Sequence, residues 1–300
     1  MNRMRIAVTG ASGLIGSALV TALTEEGDDV LRLVRHALDG PDQVRWDPHR
    51  GTVDTDRLAG CEAIVHLAGA GVGDKRWTAA RKKELLASRV RGTDAIARAA
   101  AALATPPRVL VCGSAIGYYG DTGDSWADED SPAGDGFLAD LVQQWEAAAE
   151  PAREAGIRTA HARTGLVVSQ RGGAWGRLFP IFKAGLGGRL GSGRQFWSFI
   201  ALRDEIAALR HIIATGELSG PVNLTAPDPL TNREITAAMG RALHRPTLAT
   251  VPATALRLAL GEFAGDVLGS QRVRPRRLLD SGFTFAFPEI DQAIGAALED

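Results

Sequence analysis

The segment Thr9-Gly10-Ala11-Ser12-Gly13-Leu14-Ile15-Gly16 holds the residues whose types and spacing point most directly to chemistry. A turn that grips a phosphate must bend sharply and bring backbone N–H groups against the anion, so a side chain there obstructs. Gly10 and Gly13 meet that need, and Gly16, one turn later, lets a helix lie close to the preceding strand. The flanks agree. Arg5-Ile6-Ala7-Val8-Thr9 reads as a buried parallel strand, and Leu14, Ile15, Ala18, Leu19, Ala22 and Leu23 recur at helical spacing until Gly27. Strand, glycine turn and helix in that order predict a dinucleotide pyrophosphate at the helix N-terminus, touching Gly10, Ser12, Gly13, Leu14, Ile15 and Gly16.

A second strand, Val30-Leu31-Arg32-Leu33-Val34, ends at Arg35. In this architecture an acidic residue there accepts from a free ribose 2′-hydroxyl, whereas a guanidinium clamps a 2′-phosphate, so Arg35 predicts NADP(H) over NAD. A third strand, Ala63 to Leu67, runs into Ala68-Gly69-Ala70-Gly71, where Leu67, Ala68 and Gly69 offer a flat platform for the cofactor. His66 reads as a packing or pairing residue. A helix over 78–104 then crosses to a fourth strand, Arg108 to Cys112.

The alternation of strands and helices predicts an α/β fold: a doubly wound parallel (Rossmann) sheet with a smaller carboxyl-terminal substrate lobe. The expected boundaries are 3–165 for the NADP-binding domain, with a returning segment at about 200–226, and 166–199 plus 227–300 for the lobe. Pro221 to Leu224 reads as the returning strand, and Thr231 with Glu234 as a helix capping box. Residues 166–199 are rich in Gly and aromatics, a composition suited to a loop and short helices closing over a ligand; most of Trp175, Phe179, Phe182, Phe196 and Trp197 are expected in the core, with one or two of them touching the substrate.

Three hundred residues at 45% hydrophobic and 23% charged content bury a large core. A net charge of -1 gives no field for nucleic acid or anionic membrane. Arg272, Arg274, Arg276 and Arg277 read as a solvated basic face. Cys61 and Cys112 stand far apart with no metal-ligand spacing. A strand already at position 5 leaves no room for a signal peptide, and no apolar run reaches spanning length, so the expectation is a cytoplasmic protein with a small-molecule substrate. A helix-mediated homodimer is one assembly this composition allows.

With these motifs the chain resembles the extended short-chain dehydrogenase/reductase superfamily, the group of nucleotide-sugar epimerases and dehydratases, and within it the atypical epimerase-like family. The resemblance rests on the glycine turn, His66-Leu67-Ala68-Gly69, Asp74-Lys75-Arg76-Trp77-Thr78, Gly113-Ser114-Ala115-Ile116-Gly117-Tyr118-Tyr119-Gly120, Trp145-Glu146 and Arg163-Thr164-Gly165, and it covers essentially the whole chain. It implies an NADP(H)-binding sheet with the substrate between sheet and lobe. It also makes Arg89 and Glu84 cofactor contacts, for which an exposed helix salt bridge is the plainer explanation.

The superfamily's catalytic Tyr and the Lys four residues on fall near Leu138 and Val142, and its helper hydroxyl at Ala115. That leaves Tyr119 and the adjacent Ser114 as the catalytic candidates, with Tyr118 and Asp121 close by. Gln195 is followed by Phe196 and Trp197 where the superfamily places an arginine for a sugar-nucleotide phosphate, which points to a more apolar ligand. Three readings follow: an NADP-dependent oxidoreductase or epimerase on a small molecule, a non-catalytic NADPH sensor, and, disfavoured by Arg35 and Trp197, a nucleotide-sugar epimerase.

Overall fold

Each apolar run of the amino-terminal half must be covered on both faces, and the helices between the runs supply the cover. The computed structural model describes residues 3–299. It shows β1 (Arg5–Thr9), α1 (Leu14–Glu25), β2 (Asp29–Val34), β3 (Gln43–Asp47), β4 (Thr52–Val53), α2 (Thr55–Leu58), β5 (Ala63–His66), α3 (Ala79–Ala101) and β6 (Val109–Ala115). A 3-10 turn at Ile116–Tyr119 leads to α4 (Phe137–Ala147), α5 (Glu150–Glu154), β7 (Arg158–Thr164), β8 (Leu166–Val168), α6 (Gly173–Lys183), β9 (Gly188–Leu190), β10 (Phe196–Trp197), β11 (Phe199–Ala201), α7 (Leu202–Ala214) and β12 (Gly220–Leu224). Then come β13 (Leu230–Thr231), α8 (Asn232–Leu243), β14 (Ala249–Val251), α9 (Ala253–Leu260), α10 (Ala264–Leu268), α11 (Arg276–Asp280) and α12 (Ile290–Glu299).

The main sheet runs β12-β7-β6-β5-β1-β2-β3-β4, parallel throughout except for the β3–β4 edge pair. From β1 the chain winds outward through β2 and β3, then returns to the other side at β5. Strand order therefore reverses between β1 and β5, which opens a crevice at their carboxyl ends. Side chains alternate across the sheet. Ile6 and Val8 pack with Leu19, Leu209 and Ile212 on the α1/α7 face, while Ala7, Ile64 and Leu110 pack with Ile96 and Ala100 of α3 on the other.

The fourth predicted strand continues three residues further, to Ala115, because β7 pairs with it along its whole length. The capping box forms as expected: Glu234 N donates to Thr231 Oγ1 at 3.3 Å, and Thr231 N donates to Glu234 Oε2 at 2.7 Å. Most of the aromatics of 175–197 are core, as their spacing suggests. Trp175, Phe179, Phe182 and Trp197 are buried with Ile235, Met239 and Ile294 as the lobe's own core, and Phe196 lies under the guanidinium of Arg272. A lobe this small needs its large side chains for packing.

The basic run is not a free face either. Arg274 lies 3.8 Å from Asp128, Arg276 pairs with Asp130, and Arg277 reaches Asp130 at 3.3 Å and the Ser219 carbonyl at 2.9 Å. These contacts tie α11 to the 128–130 loop and the edge of β12. No described helix is long and apolar enough to cross a membrane.

Candidate cofactor and reaction cleft

Gly10 has φ +67, and a Cβ there would lie 2.9 Å from the Leu67 carbonyl carbon. A Cβ on Gly16 would lie 2.2 Å from the Gly10 oxygen. Both glycines are thus required by close backbone approach, of the turn to the end of β5 and of α1 to the turn. Gly13 caps α1 and has no capping side chain, so the first-turn amides are left open toward the cleft. The side chains of Leu14 and Ile15 pack against the core. Thr9 secures the other side of the crevice: its Oγ1 accepts from Leu67 N at 3.0 Å and Ala68 N at 3.2 Å. Burial of the His66 ring beside it drives that imidazole down to about 4, so it is neutral.

A cavity of 1390 Å³ opens over this crevice, lined among others by Ser12, Arg35, Gly69, Lys75, Glu84 and Arg91. Arg35 is exposed just past the end of β2 and makes no ion pair among the described residues, whereas neighbouring Arg32 is bound to Asp42 at 2.6 Å. Glu84 also lines the cavity, already paired with Arg81 at 2.8 Å. That hydrogen bond holds its carboxyl below the usual range. Arg89 is not in the lining. Its guanidinium sits behind the Gly69–Ala70 backbone, donating to the Ala70 carbonyl at 2.9 Å and lying 4.9 Å from the Trp145 ring. It supports the platform from below and does not face the cavity.

At the other end of the cleft, the positions corresponding to the superfamily's Tyr and Lys are apolar: Leu138 packs against a cluster formed by Val142, Trp77, Leu85, Leu141 and Trp145. Ser114 and Tyr119 do not stand free. Ser114 donates to Glu146 Oε1 at 2.6 Å, and Glu146 takes both Nε and Nη2 of Arg163 at 2.8 Å. Burial pushes the Glu146 carboxyl upward, but the Arg163 and Ser114 hydrogen bonds outweigh it and hold the group below the ordinary range. Arg163 Nη1 donates to the Tyr119 hydroxyl at 3.0 Å, which in turn donates to Asn223 Oδ1 at 2.8 Å. Burial pushes the Tyr119 phenol up to about 12 against the pull of Arg163. This buried hydroxyl, committed on both sides, fastens the 3-10 turn after β6 to β7 and β12. Nor is Asp121 free, since its Oδ1 accepts from Ser270 N at 2.9 Å and Gly123 N at 3.0 Å.

Tyr118 differs from all of these. It is half-buried, its ring lies 3.5 Å from the Arg163 guanidinium carbon, and its hydroxyl has no hydrogen-bond partner among the described residues. It packs against the same apolar cluster as Leu138 and Ala115. Sequence spacing gave no sign that Glu146, Arg163 and Asn223 form one network. They meet because register places Ser114 opposite Arg163 and Asn223 opposite Arg163 on the other side. No group of three or more His, Cys, Asp or Glu residues able to hold a metal occurs among the described residues.

An open doubly wound sheet with a glycine turn at its switch point defines a dinucleotide-binding protein of the short-chain dehydrogenase class. The chain belongs to the NAD dependent epimerase/dehydratase family, whose model matches residues 6–224, and a domain of unknown function, DUF1731, matches 251–297. An epimerase family protein of Mycobacterium bovis is 45% identical over 97% of each chain. The crystal structure of the human epimerase family protein SDR39U1 with NADPH superposes with a TM-score of 0.90 at 34% identity, covering 99% of this chain and 100% of that one. A nucleoside-diphosphate sugar epimerase of Corynebacterium glutamicum is also 34% identical, with a TM-score of 0.81; the match covers 99% of this chain and 58% of that one.

Proposed function

We propose that this protein binds NADP(H) across the carboxyl edge of its sheet and acts as an oxidoreductase on a small organic molecule. The observation that carries the cofactor preference is Arg35, exposed and without an ion pair among the described residues, at the end of β2 in a cavity whose glycine turn leaves α1 amides open. The NADPH in the human relative supports it. A nicotinamide bound there supplies or accepts hydride. The chain's own part is to seat it on Leu67–Gly71 and to move a proton. With Tyr119, Ser114 and Asp121 committed, the Tyr118 hydroxyl is the remaining group beside Leu138 that can give one to a substrate oxygen. The charge of Arg163 on its ring face is balanced by Glu146, so the pair can remain buried as the tyrosine loses and regains its proton from solvent.

A second reading, an NADPH sensor without turnover, is favoured by Leu138 and Val142, which cannot transfer protons. Titration with NADPH and NADH followed by nicotinamide fluorescence tests the shared step. NADPH should bind at least tenfold tighter, and Arg35→Ala should weaken it by roughly tenfold to a hundredfold with little effect on NADH, the loss of one charge-assisted contact. Equal affinities would remove the argument from Arg35, and no binding of either would remove the cofactor. Reduction of a panel of aldehydes, ketones and quinones with NADPH separates the oxidoreductase from the sensor.

A further inference from the structure

The net charge of -1 is an average over a chain whose charges are unevenly spread. Residues 171–203 carry six Lys or Arg and no Asp or Glu, and residues 235–261 carry three Arg, His244 and again no acid. The fold brings these two stretches together: β9 pairs with β14 in a two-stranded parallel sheet, and Arg245 Nε donates to the Lys183 carbonyl at 2.9 Å. Some of the cations are answered from elsewhere, Arg177 by Asp74 and Arg241 by Asp291. Lys183, Arg189, Arg194 and Arg245 are exposed and make no ion pair among the described residues, and neither does the exposed Arg233 beside them. A Cβ on Gly193 would lie 3.3 Å from the Cβ of Arg189 and of Arg233, so like charges converge on that turn. The carboxylate next in sequence, Glu234, is turned back to cap its own helix at Thr231.

The same two stretches hold the three most exposed large apolar side chains of the described residues: Leu248 at 93%, Leu258 at 79% and Leu186 at 71%. Register sets Ala249 opposite Gly188, so Leu248 and Leu186, just before β14 and β9, stand side by side at one end of this sheet. Ile181, also exposed, joins them through the hydrogen bond from Leu186 N to its carbonyl at 3.1 Å. Aliphatic tips in water with unanswered cations around them match an anionic bilayer, where the tips enter the boundary between headgroups and acyl chains and the cations meet lipid phosphates. Nucleic acid fits less well, because the aromatics that could stack on bases, Trp175, Phe179, Phe182 and Trp197, are buried. A second copy also fits less well, since a net charge of -1 offers no field of one sign to meet these cations.

We propose that the face of the lobe built on β9 and β14 docks on anionic phospholipid membranes, with Leu186 and Leu248 entering the interface and Lys183, Arg189, Arg194, Arg233 and Arg245 against the lipid phosphates. The proposal does not depend on the NADP(H) reading. Co-sedimentation of the full chain with vesicles of phosphatidylcholine, alone or mixed equally with phosphatidylglycerol, tests it. The chain should bind the mixed vesicles at least roughly tenfold more tightly than the neutral ones, and should lose most of that binding in about 0.5 M salt. Leu186→Ser combined with Leu248→Ser should weaken binding by roughly tenfold, and Arg189→Glu by a similar factor. Arg153→Glu, the same change of charge on α5 in the sheet domain, should leave it within about twofold. All these side chains are exposed, so unfolding temperatures that match wild type will separate lost binding from a lost fold. No binding to the mixed vesicles would overturn the proposal, and so would binding that the leucine variant retains in full. A concentration-dependent dimer broken by Leu248→Ser, or binding of a single-stranded oligonucleotide, with none to vesicles in either case, would overturn it in favour of a second copy or of nucleic acid.

Discussion

The Thr9 hydroxyl donates its only proton to His66 Nδ1 across 2.8 Å, because its oxygen already accepts the amides of Leu67 and Ala68. One side chain at the end of β1 therefore fixes the neutral tautomer of a fully buried imidazole and the path of the platform beside it. Nε2 of His66 carries the proton and has no partner among the described residues, an expense borne to hold the loop.

Replacing this hydroxyl with an isosteric methyl leaves two amides and a ring nitrogen unpaired. Thr9→Val should lose about 2–3 kcal/mol in urea unfolding and weaken NADPH binding several-fold, because the Leu67–Gly69 platform is released. A variant as stable as wild type would show that the platform is held by other contacts.

The chain holds only two tyrosines, and their surroundings predict opposite outcomes. Tyr119→Phe should cost about 1–2 kcal/mol by stranding Asn223 and Arg163, with NADPH affinity unchanged within about threefold. Tyr118→Phe should leave stability within about 0.5 kcal/mol, keep NADPH binding, and abolish whatever carbonyl reduction wild type shows. Persistent turnover in Tyr118→Phe would place the proton donor elsewhere, and loss confined to Tyr119→Phe would reverse the assignment.

Two buried groups give stability a pH dependence of opposite sign. His66, driven from 6.5 to about 4 by burial, stays neutral in the fold. Its contribution is complete above pH 6.5 and is lost as pH falls toward 4, by roughly 3 kcal/mol. Glu205, fully buried and accepting from the Thr164 hydroxyl at 2.8 Å, is raised by burial from 4.5 to about 8. Its contribution is complete below pH 4.5 and is lost as pH rises toward 8, by an amount on the order of 4 kcal/mol. Glu205→Gln should therefore match wild type at pH 4.5 to within about 1 kcal/mol and exceed it by about 2–4 kcal/mol at pH 8.5. Parallel urea curves at the two pH values decide it, and an equal difference at both would mean that Glu205 does not ionise in this range.

The amino-terminal half was legible in the sequence because its signals are local. Gly16 and the positive φ of Gly10 are dictated by a turn a few residues long, β1 and α1 by contiguous periodicity, and Arg35 by its place one residue beyond a strand. Such features need no partner distant in the chain. The reaction end was not legible for the opposite reason. Leu138 and Val142 showed what was missing, but that Tyr119 is sealed in and Tyr118 is not depends on β7 and β12 lying beside β6, which brings Arg163 and Asn223 to one phenol. Which of the aromatics of 175–197 are core is likewise settled by the packing of α6 and β10 against α8 and α12. Sequence by itself set the glycine turn, the sheet and the charge at Arg35, since each follows from backbone sterics and short-range pattern. Tertiary structure decided which hydroxyls are free and which cations are paired, because those depend on the register between strands separated by dozens of residues.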